Sequence, residues 1–176
     1  TVEPRKNLPR LLTAYARLRA ERRNAPQLLL VGHPGWKSEE TFQTIQQLRL
    51  RGAVIHAGYL GRVEAVLLLR GARACVYPSI YEGFGLPVLE AMAARTPVLA
   101  STDPALMEVS GGACLHVEAG SVESIEAGMA ALLEKPSEAA VRAERAWQRA
   151  QGLTWAHSAE ALAQAYQAIM RKTSGG

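Results

Sequence analysis

The stretch that decides the fold is YPSIYEGFGLPVLEAMAARTPVLAS, residues 77–101. It predicts the end of a strand, a glycine-containing loop, a helix that begins near Leu86 and a second strand. Gly83 and Gly85 let the backbone approach a ligand closely or adopt a positive φ angle. Pro87 suits the first turn of a helix, because its missing N–H would have no partner there. The segment therefore predicts a strand–loop–helix unit whose loop can receive a ligand.

Two glutamates, Glu82 and Glu90, flank that helix start. The start of a helix offers free N–H groups and the positive end of the helix dipole, and both favour phosphate. A carboxylate beside a phosphate would repel it, so the glutamates must face hydrogen-bond donors, and sugar hydroxyls are the obvious candidates. The pattern therefore predicts a sugar-nucleotide site.

The simpler interpretation of each glutamate is a solvated acid. Glu82 would then be an exposed loop residue, and Glu90 would face solvent from the helix. Against this, the helical neighbours of Glu90 are apolar, and a carboxylate buried among them is costly without hydrogen-bonding partners. We therefore expect both carboxylates to meet a ligand.

Apolar runs suited to buried strands alternate with helix-like segments along most of the chain. The predicted strands are 27–32, 53–57, 74–77, 97–100 and 113–117. The predicted helices are 7–23, 38–51, 62–70, 86–94, 121–134, 137–151 and 155–172. This order predicts an α/β fold, a Rossmann-like, doubly wound and mostly parallel sheet with helices on both faces and extra C-terminal helices. Residues 1–176 form one domain in this prediction, and 173–176 form a frayed tail.

The loops after the predicted strands carry most of the unusual residues. A doubly wound sheet binds ligands at the carboxyl ends of its strands, so these loops should lie together. They read GHPGW at 32–36, GYLG at 58–61, PSIYEGFG at 78–85 and STDP at 101–104. For the first of them a plain turn and a contact with sugar or phosphate are both open, and we give His33 no catalytic role.

The composition is that of a soluble domain. The chain has 176 residues, 48% of them apolar and 20% charged, and no apolar run or leader suited to a membrane span or a signal peptide. We therefore expect a cytoplasmic protein with Cys75 and Cys114 as free thiols. The net charge of +4 permits an anionic ligand or a peripheral membrane contact. Nucleic-acid binding is not expected, because aromatic residues make up only 6% and do not interleave with the basic ones.

A protein-built metal site is not expected either. Asp103 is the only aspartate, so no Asp-x-Asp pair exists. The four histidines are scattered without the spacing of metal ligands. We therefore expect no metal cofactor.

Residues 78–101 closely resemble the signature of the retaining family 4 (group 1) glycosyltransferases. The resemblance is carried by Pro78-Ser79, by EGFGLPVLEAMA at 82–93 and by PVLAS at 97–101. Further landmarks follow the family order: EPRKNL at 3–8, LVG at 30–32, GYL at 58–60, Glu108-Val109 and Gly112-Ala113. That signature belongs to the C-terminal, donor-binding domain of the two-domain GT-B fold. The resemblance thus implies that an N-terminal acceptor domain, with a strand and a glycine before residue 3, lies outside this sequence.

The resemblance also implies roles for single residues. Glu82 would meet hydroxyls of the donor sugar, and Glu90 would accept the ribose hydroxyls of the nucleotide. Arg5 and Lys6 match the basic pair that neutralises the diphosphate as the glycosidic bond breaks. Tyr59 would lie near the nucleobase, although an exposed loop tyrosine is an equal alternative.

The loop between the two glutamates has an implied role as well. Gly83, Phe84, Gly85 and Leu86 would offer backbone N–H groups to the sugar and the diphosphate, with the Phe84 ring mainly packing. Helix 155–172 has an amphipathic pattern, and the resemblance implies that it crosses back to the N-terminal domain.

The implied activity is retaining transfer of a hexose from a nucleoside diphosphate to a glycan or lipid-linked acceptor. The resemblance favours GDP-mannose and leaves a UDP-sugar open. One alternative is the nucleotide-sugar domain of a GT-B epimerase or phosphorylase, and another is a nucleotide-binding module that is inactive on its own. A dinucleotide oxidoreductase is disfavoured, because Gly83-Phe84-Gly85 is followed by Leu-Pro-Val and not by the x-x-Gly of a dinucleotide fingerprint.

Overall fold

The protein is an α/β structure, seen in a computed structural model that describes residues 1–22 and 24–173. Its strands are β1 Leu28–Val31, β2 Val54–Gly58, β3 Cys75–Tyr77, β4 Val98–Ser101 and β5 Leu115–Val117. A 3-10 turn at Pro4–Lys6 precedes the first helix. The helices are α1 Leu8–Glu21, α2 Glu39–Gln47, α3 Arg62–Gly71, α4 Leu86–Ala93, α5 Pro104–Ser110, α6 Val122–Glu134, α7 Pro136–Gln151 and α8 Trp155–Thr173.

All paired strands run parallel, which confirms the predicted α/β class. β1 pairs with β2, and β4 lies between β3 and β5. Within the described residues these are two separate sheets, whereas the sequence predicted one. The parallel arrangement follows from the helices between successive strands, since a parallel pair needs a crossover connection.

Residues 1–6 run between the carboxyl ends of β1 and β3. The Val2 N–H donates to the His33 carbonyl over 2.9 Å, and the Gly35 N–H donates to the Val2 carbonyl over 2.9 Å. A little further along, the Ile80 N–H donates to the Arg5 carbonyl over 2.8 Å. The N-terminal segment therefore connects the loops that follow the two strands, where the sequence placed the ligand.

Helices cover both faces of β4, as a doubly wound architecture requires. Leu99 belongs to one core cluster, which it shares with Leu12 of α1 and Ile125 of α6. The neighbouring β4 residues belong to a second cluster, with Val88 of α4 and Leu106 of α5. Since successive strand residues point to opposite faces, this one strand separates two layers of helices. Cys75 and Cys114 are both free, as predicted.

Most element boundaries agree with the sequence prediction to within two residues, but two helices differ. α2 ends at Gln47 and not at residue 51, since the chain turns there and Arg49 adopts a left-handed φ of 54°. α5 was not predicted, and residues 101–104 were assigned to a loop. Its seven residues are too few to show a helical period, so only its cap could have indicated it.

Asp103 is that cap, and its replacement is a first test of the local structure. Its Oδ1 accepts hydrogen bonds from the Ala105 N–H at 3.0 Å and the Leu106 N–H at 3.4 Å. We expect Asp103→Ala to lower the free energy of unfolding by about 1 kcal/mol in urea denaturation. Asp103→Ser keeps a capping oxygen and should cost clearly less; equal losses for the two variants would contradict the capping role.

The final helix is exposed from Trp155 to Arg171. Leu162 and Tyr166 present 55% and 60% of their surface to solvent. The prediction that this helix crosses to another domain is not tested by the structure. Of the predicted frayed tail, residues 174–176 lie outside the described part, and Thr173 ends the helix. No helix among the described residues is long and apolar enough to cross a bilayer.

Candidate functional site

The structure brings Arg5, Lys6 and Glu82 together. Arg5 Nη1 lies 2.7 Å from Glu82 Oε2, and Lys6 Nζ lies 2.7 Å from Glu82 Oε1. The side chains of Lys6 and Glu82 are only 11% and 7% exposed, while that of Arg5 is 42% exposed. The three residues that the sequence assigned to the donor sugar and the diphosphate therefore share one cluster, although 76 or 77 positions separate the glutamate from its partners.

Asn7 fixes the basic pair beside the glutamate loop. It ends the Pro4–Lys6 turn in a left-handed conformation, with φ 60° and ψ 30°, which asparagine tolerates better than most residues. Its side-chain amide donates to the Pro78 carbonyl at 3.0 Å and the Ala119 carbonyl at 2.8 Å. The turn is thus tied to the loops that follow β3 and β5. The sequence analysis placed Asn7 in a family landmark but gave it no role.

Tyr77 is a second residue that the sequence analysis did not assign to the site. The Lys6 ammonium donates to its hydroxyl and lies 4.7 Å from the centre of its ring. Burial, with the negative charge of Glu82 as a smaller cause, raises the pKa of the Tyr77 hydroxyl above its ordinary value. The phenol is therefore neutral at physiological pH and acts as a fixed polar partner of Lys6. Its position directly before Pro78-Ser79 was the available signal.

The Glu82 carboxylate is ionised in this cluster. Burial by itself would raise its pKa, but favourable interactions with Lys6, Ser79 and Arg5 outweigh burial and lower the pKa. Arg5 is also 2.7 Å from Glu3 Oε1. The two cations and two carboxylates therefore cancel in formal charge, and a carboxylate with two cationic donors is a strong hydrogen-bonded arrangement.

The start of α4 offers free backbone donors next to this cluster. Gly85 caps the helix with φ 92° and ψ 41°, a left-handed conformation that favours glycine. The N–H groups of residues 83–86 donate no hydrogen bond to any described residue. Donors of this kind at a helix start suit an anion, so the geometry agrees with the phosphate site expected from the sequence.

Apolar side chains surround the glutamate loop at the surface. Ile80, Tyr81, Phe84 and Leu86 are 56%, 65%, 46% and 48% exposed. Phe84 thus has more than half of its surface covered, and the expectation that its ring mainly packs stays a prediction. An exposed apolar rim around polar groups is typical of a surface that receives a ligand or another domain.

Glu90 and Tyr59 lie outside the charged cluster. Glu90 is exposed, although its helical neighbours in sequence are apolar, and its carboxylate forms no hydrogen bond or ion pair with another described residue. Tyr59 is 67% exposed and stacks on the His33 ring, with the ring centres 5.2 Å apart and an angle of 5° between the planes. Both side chains are open to a ligand, and their predicted roles stay predictions.

No metal centre is found within residues 1–22 and 24–173, where no three His, Cys, Asp or Glu side chains are grouped to hold an ion. The prediction that the protein needs no metal stays a prediction. The chemistry that these residues offer is hydrogen bonding and charge.

The sequence from residue 1 to 149 matches the family model described as glycosyl transferases group 1. The chain belongs to the group 1 glycosyltransferases. The matched region contains every site residue described above and ends before α8 begins. The family resemblance stated from the motif is thereby confirmed.

Among curated group 1 relatives, the chain is 35% identical over 169 residues to the O-antigen chain mannosyltransferase B of Escherichia coli. That match covers 96% of this chain and 44% of the relative. The chain is 38% identical over 138 residues to an MMP alpha-(1->4)-mannosyltransferase of Mycolicibacterium hassiacum, covering 77% of this chain and 33% of that protein. The chain thus spans less than half the length of these relatives.

Solved structures show the same architecture. The sucrose-phosphate synthase of Thermosynechococcus elongatus superposes with a TM-score of 0.82 and 26% identity, over 97% of this chain and 44% of that one. Anabaena Alr3699/HepE in complex with UDP superposes with a TM-score of 0.82 and 21% identity, over 95% of this chain and 46% of that one. These similarities confirm the predicted fold, one half of a two-domain GT-B architecture.

Proposed function

We propose that this chain is the donor-binding half of a retaining glycosyltransferase, which moves a hexose from a nucleoside diphosphate to a hydroxyl of a glycan or a lipid-linked acceptor. One observation carries the proposal: two cations and a carboxylate, distant in sequence, converge beside a glycine-capped helix start with free N–H groups. Cations and amides suit a diphosphate, and an ionised carboxylate suits sugar hydroxyls.

In this proposal catalysis is positioning and electrostatics. Lys6, Arg5 and the amides of residues 83–86 stabilise the negative charge that grows on the diphosphate as the glycosidic bond breaks. Glu82 holds the transferred sugar and Glu90 the ribose, so the reacting carbon is fixed relative to the acceptor. Retention follows if the acceptor hydroxyl attacks from the face that the diphosphate leaves.

The donor is proposed to be GDP-mannose. Two mannosyltransferases among the relatives support mannose. The UDP complex of Anabaena HepE supports a UDP-sugar as the second candidate. Tyr59, with His33 stacked on it, is the proposed contact for the base.

The rest of the enzyme is part of the same proposal. An N-terminal domain would bind the acceptor, and α8 would cross to it with its exposed apolar residues, among them Leu162 and Tyr166. We place the full-length protein in the cytoplasm, with peripheral contact to the membrane through the net charge of +4 that these 176 residues carry. The half described here would bind the donor without transferring it.

Other members of the two-domain architecture give the competing functions. An epimerase or a phosphorylase would bind a sugar nucleotide or a sugar phosphate without transfer to a new acceptor. A binding-only module would bind nucleotide and release it unchanged. The family match and the glycosyltransferase relatives favour transfer over both.

Calorimetric titration of the full-length protein with GDP-mannose, UDP-glucose and ADP-glucose tests the donor site. We expect one of the three to bind at least tenfold tighter than the others, since base and sugar are both contacted. Glu90→Gln should weaken that binding about tenfold or more, because the ribose hydroxyls lose a charged acceptor. Glu138→Gln, an exposed change on α7, is the control.

Two results would contradict the proposal. Equal weak binding of all three nucleotides, unchanged by Glu90→Gln, would contradict the assignment of a donor site. A product whose NMR spectrum shows the inverted anomer would remove retention and leave the donor site intact.

A further inference from the structure

The cations expected at the diphosphate are already occupied. Both carboxylate oxygens of Glu82 are engaged, one by Arg5 and one by Lys6, each at 2.7 Å. Yet sugar binding asks Glu82 to accept from hydroxyls, and diphosphate binding asks the two cations to face phosphate. Contacts of Arg5 and Lys6 with a diphosphate therefore compete with their ion pairs to Glu82 for the same positive charge.

The charges sharpen this conflict. The Glu82 side chain is only 7% exposed, so solvent screens the interaction between its charge and the neighbouring cations weakly. A diphosphate placed against Lys6 and Arg5 would therefore lie beside an ionised carboxylate that competes for the same donors. Arg5 also forms an ion pair with Glu3, with 2.7 Å between Nη2 and Oε1. In the free protein the cluster has no excess positive charge to attract an anion.

Tyr77 keeps Lys6 in place while its partner changes. An ammonium group has three donors, and the Tyr77 hydroxyl and ring engage it from one side. A phosphate oxygen can replace Glu82 as the acceptor of the ammonium N–H that now points at the carboxylate. In this exchange the carboxylate moves, and the ammonium stays against Tyr77.

We propose that Glu82 acts as an internal competitor for the diphosphate, holding Arg5 and Lys6 until hydroxyls of the donor sugar replace them on its carboxylate. The sugar and the diphosphate then bind cooperatively, because each favours the same exchange. A nucleoside diphosphate without a sugar leaves Glu82 free to reclaim both cations. This residue therefore sets a preference for the donor over the spent nucleotide. The inference rests on the proposed function.

The test is calorimetric titration of the full-length protein with GDP and GDP-mannose, or with UDP and UDP-glucose if that donor binds tighter. Glu82→Gln keeps the shape of the side chain and removes its charge. We expect this variant to bind the diphosphate about three- to tenfold tighter and the sugar nucleotide more weakly, so the preference for the donor falls by roughly tenfold or more. Glu123→Gln is the matched control. Glu123 also pairs with an arginine, Arg17, at 2.7 Å, but this pair does not belong to the cluster.

The outcomes separate this inference from the proposed function. If Glu82→Gln weakens both ligands equally, Glu82 only positions the cations and the inference is overturned. If the variant loses sugar-nucleotide affinity while diphosphate affinity stays constant, there is a sugar contact but no competition, and the inference is again overturned with the donor site intact. If the unmodified protein binds none of the nucleotides, both the inference and the proposed function are overturned.

A second variant covers a failure of Glu82→Gln to fold. Glu82→Asp keeps the charge but shortens the side chain by one methylene, so it cannot reach both cations as Glu82 does. We expect the diphosphate to bind tighter in this variant too, by a smaller factor. Unchanged or weaker diphosphate binding would overturn the inference.

Discussion

Replacing Lys6 with alanine is expected to lower kcat/KM of the full-length glycosyltransferase by about 100- to 1000-fold, the usual cost of losing one preorganised donor to a developing negative charge. Lys6 is the more deeply buried of the two cations, and its ammonium is held by Glu82 and Tyr77. A buried and fixed charge stabilises the departing diphosphate without having to reorganise. Arg5 is 42% exposed, so Arg5→Ala should cost less.

Initial rates with the preferred donor measure this effect. Lys135→Ala removes an exposed lysine that pairs with Glu138 and should leave the rate unchanged. Tyr77→Phe keeps the ring under the ammonium and removes only the hydroxyl, so we expect a loss of about tenfold or less. A loss on Lys6→Ala confined to KM, with kcat intact, would show that Lys6 binds the donor without stabilising the transition state, and would contradict the role assigned here.

The order of elements could be predicted from the sequence because buried positions produce a pattern of apolar residues along it. Val98–Ala100 is a continuous apolar run whose residues are all buried, as expected of a parallel strand covered by helices on both faces. Leu28–Val31 is equally apolar, although Leu29 and Val31 are 39% and 40% exposed. α5 was not predicted, because seven residues are too few to show a helical period and Asp103 resembled an ordinary turn residue. The separation of β1 and β2 from the other strands could not be predicted either, because strand pairing depends on contacts between distant segments.

The candidate site was predictable in its parts and not in its arrangement. Glu82, Arg5 and Lys6 were each named from the sequence, but nothing in a linear pattern says that residues 76 or 77 positions apart share hydrogen bonds. Tyr77 was missed because its apolar neighbours made it part of a strand. The exposure of Glu90 could not be predicted, because an apolar neighbourhood in sequence does not decide which side of a short helix faces solvent.

Gly85→Ala is expected to lower the free energy of unfolding by about 2–4 kcal/mol, through two independent causes. The first is the backbone, since φ 92° is a conformation that an alanine adopts only under strain. The second is space: a Cβ at this position would lie 2.4 Å from Cδ2 of Leu106, a side chain that is fully buried in the α5 layer. Leu106 cannot move away without disturbing that core, so the start of α4 must shift.

Gly83→Ala in the same loop is the matched control for this substitution. Gly83 is exposed, its φ is not in the left-handed range, and a Cβ there would have no heavy atom within 4 Å. We expect a change within about 0.5 kcal/mol, as at other open surface positions. Urea unfolding followed by tryptophan fluorescence compares the two. Equal stability of both variants would mean that the left-handed cap does not constrain α4.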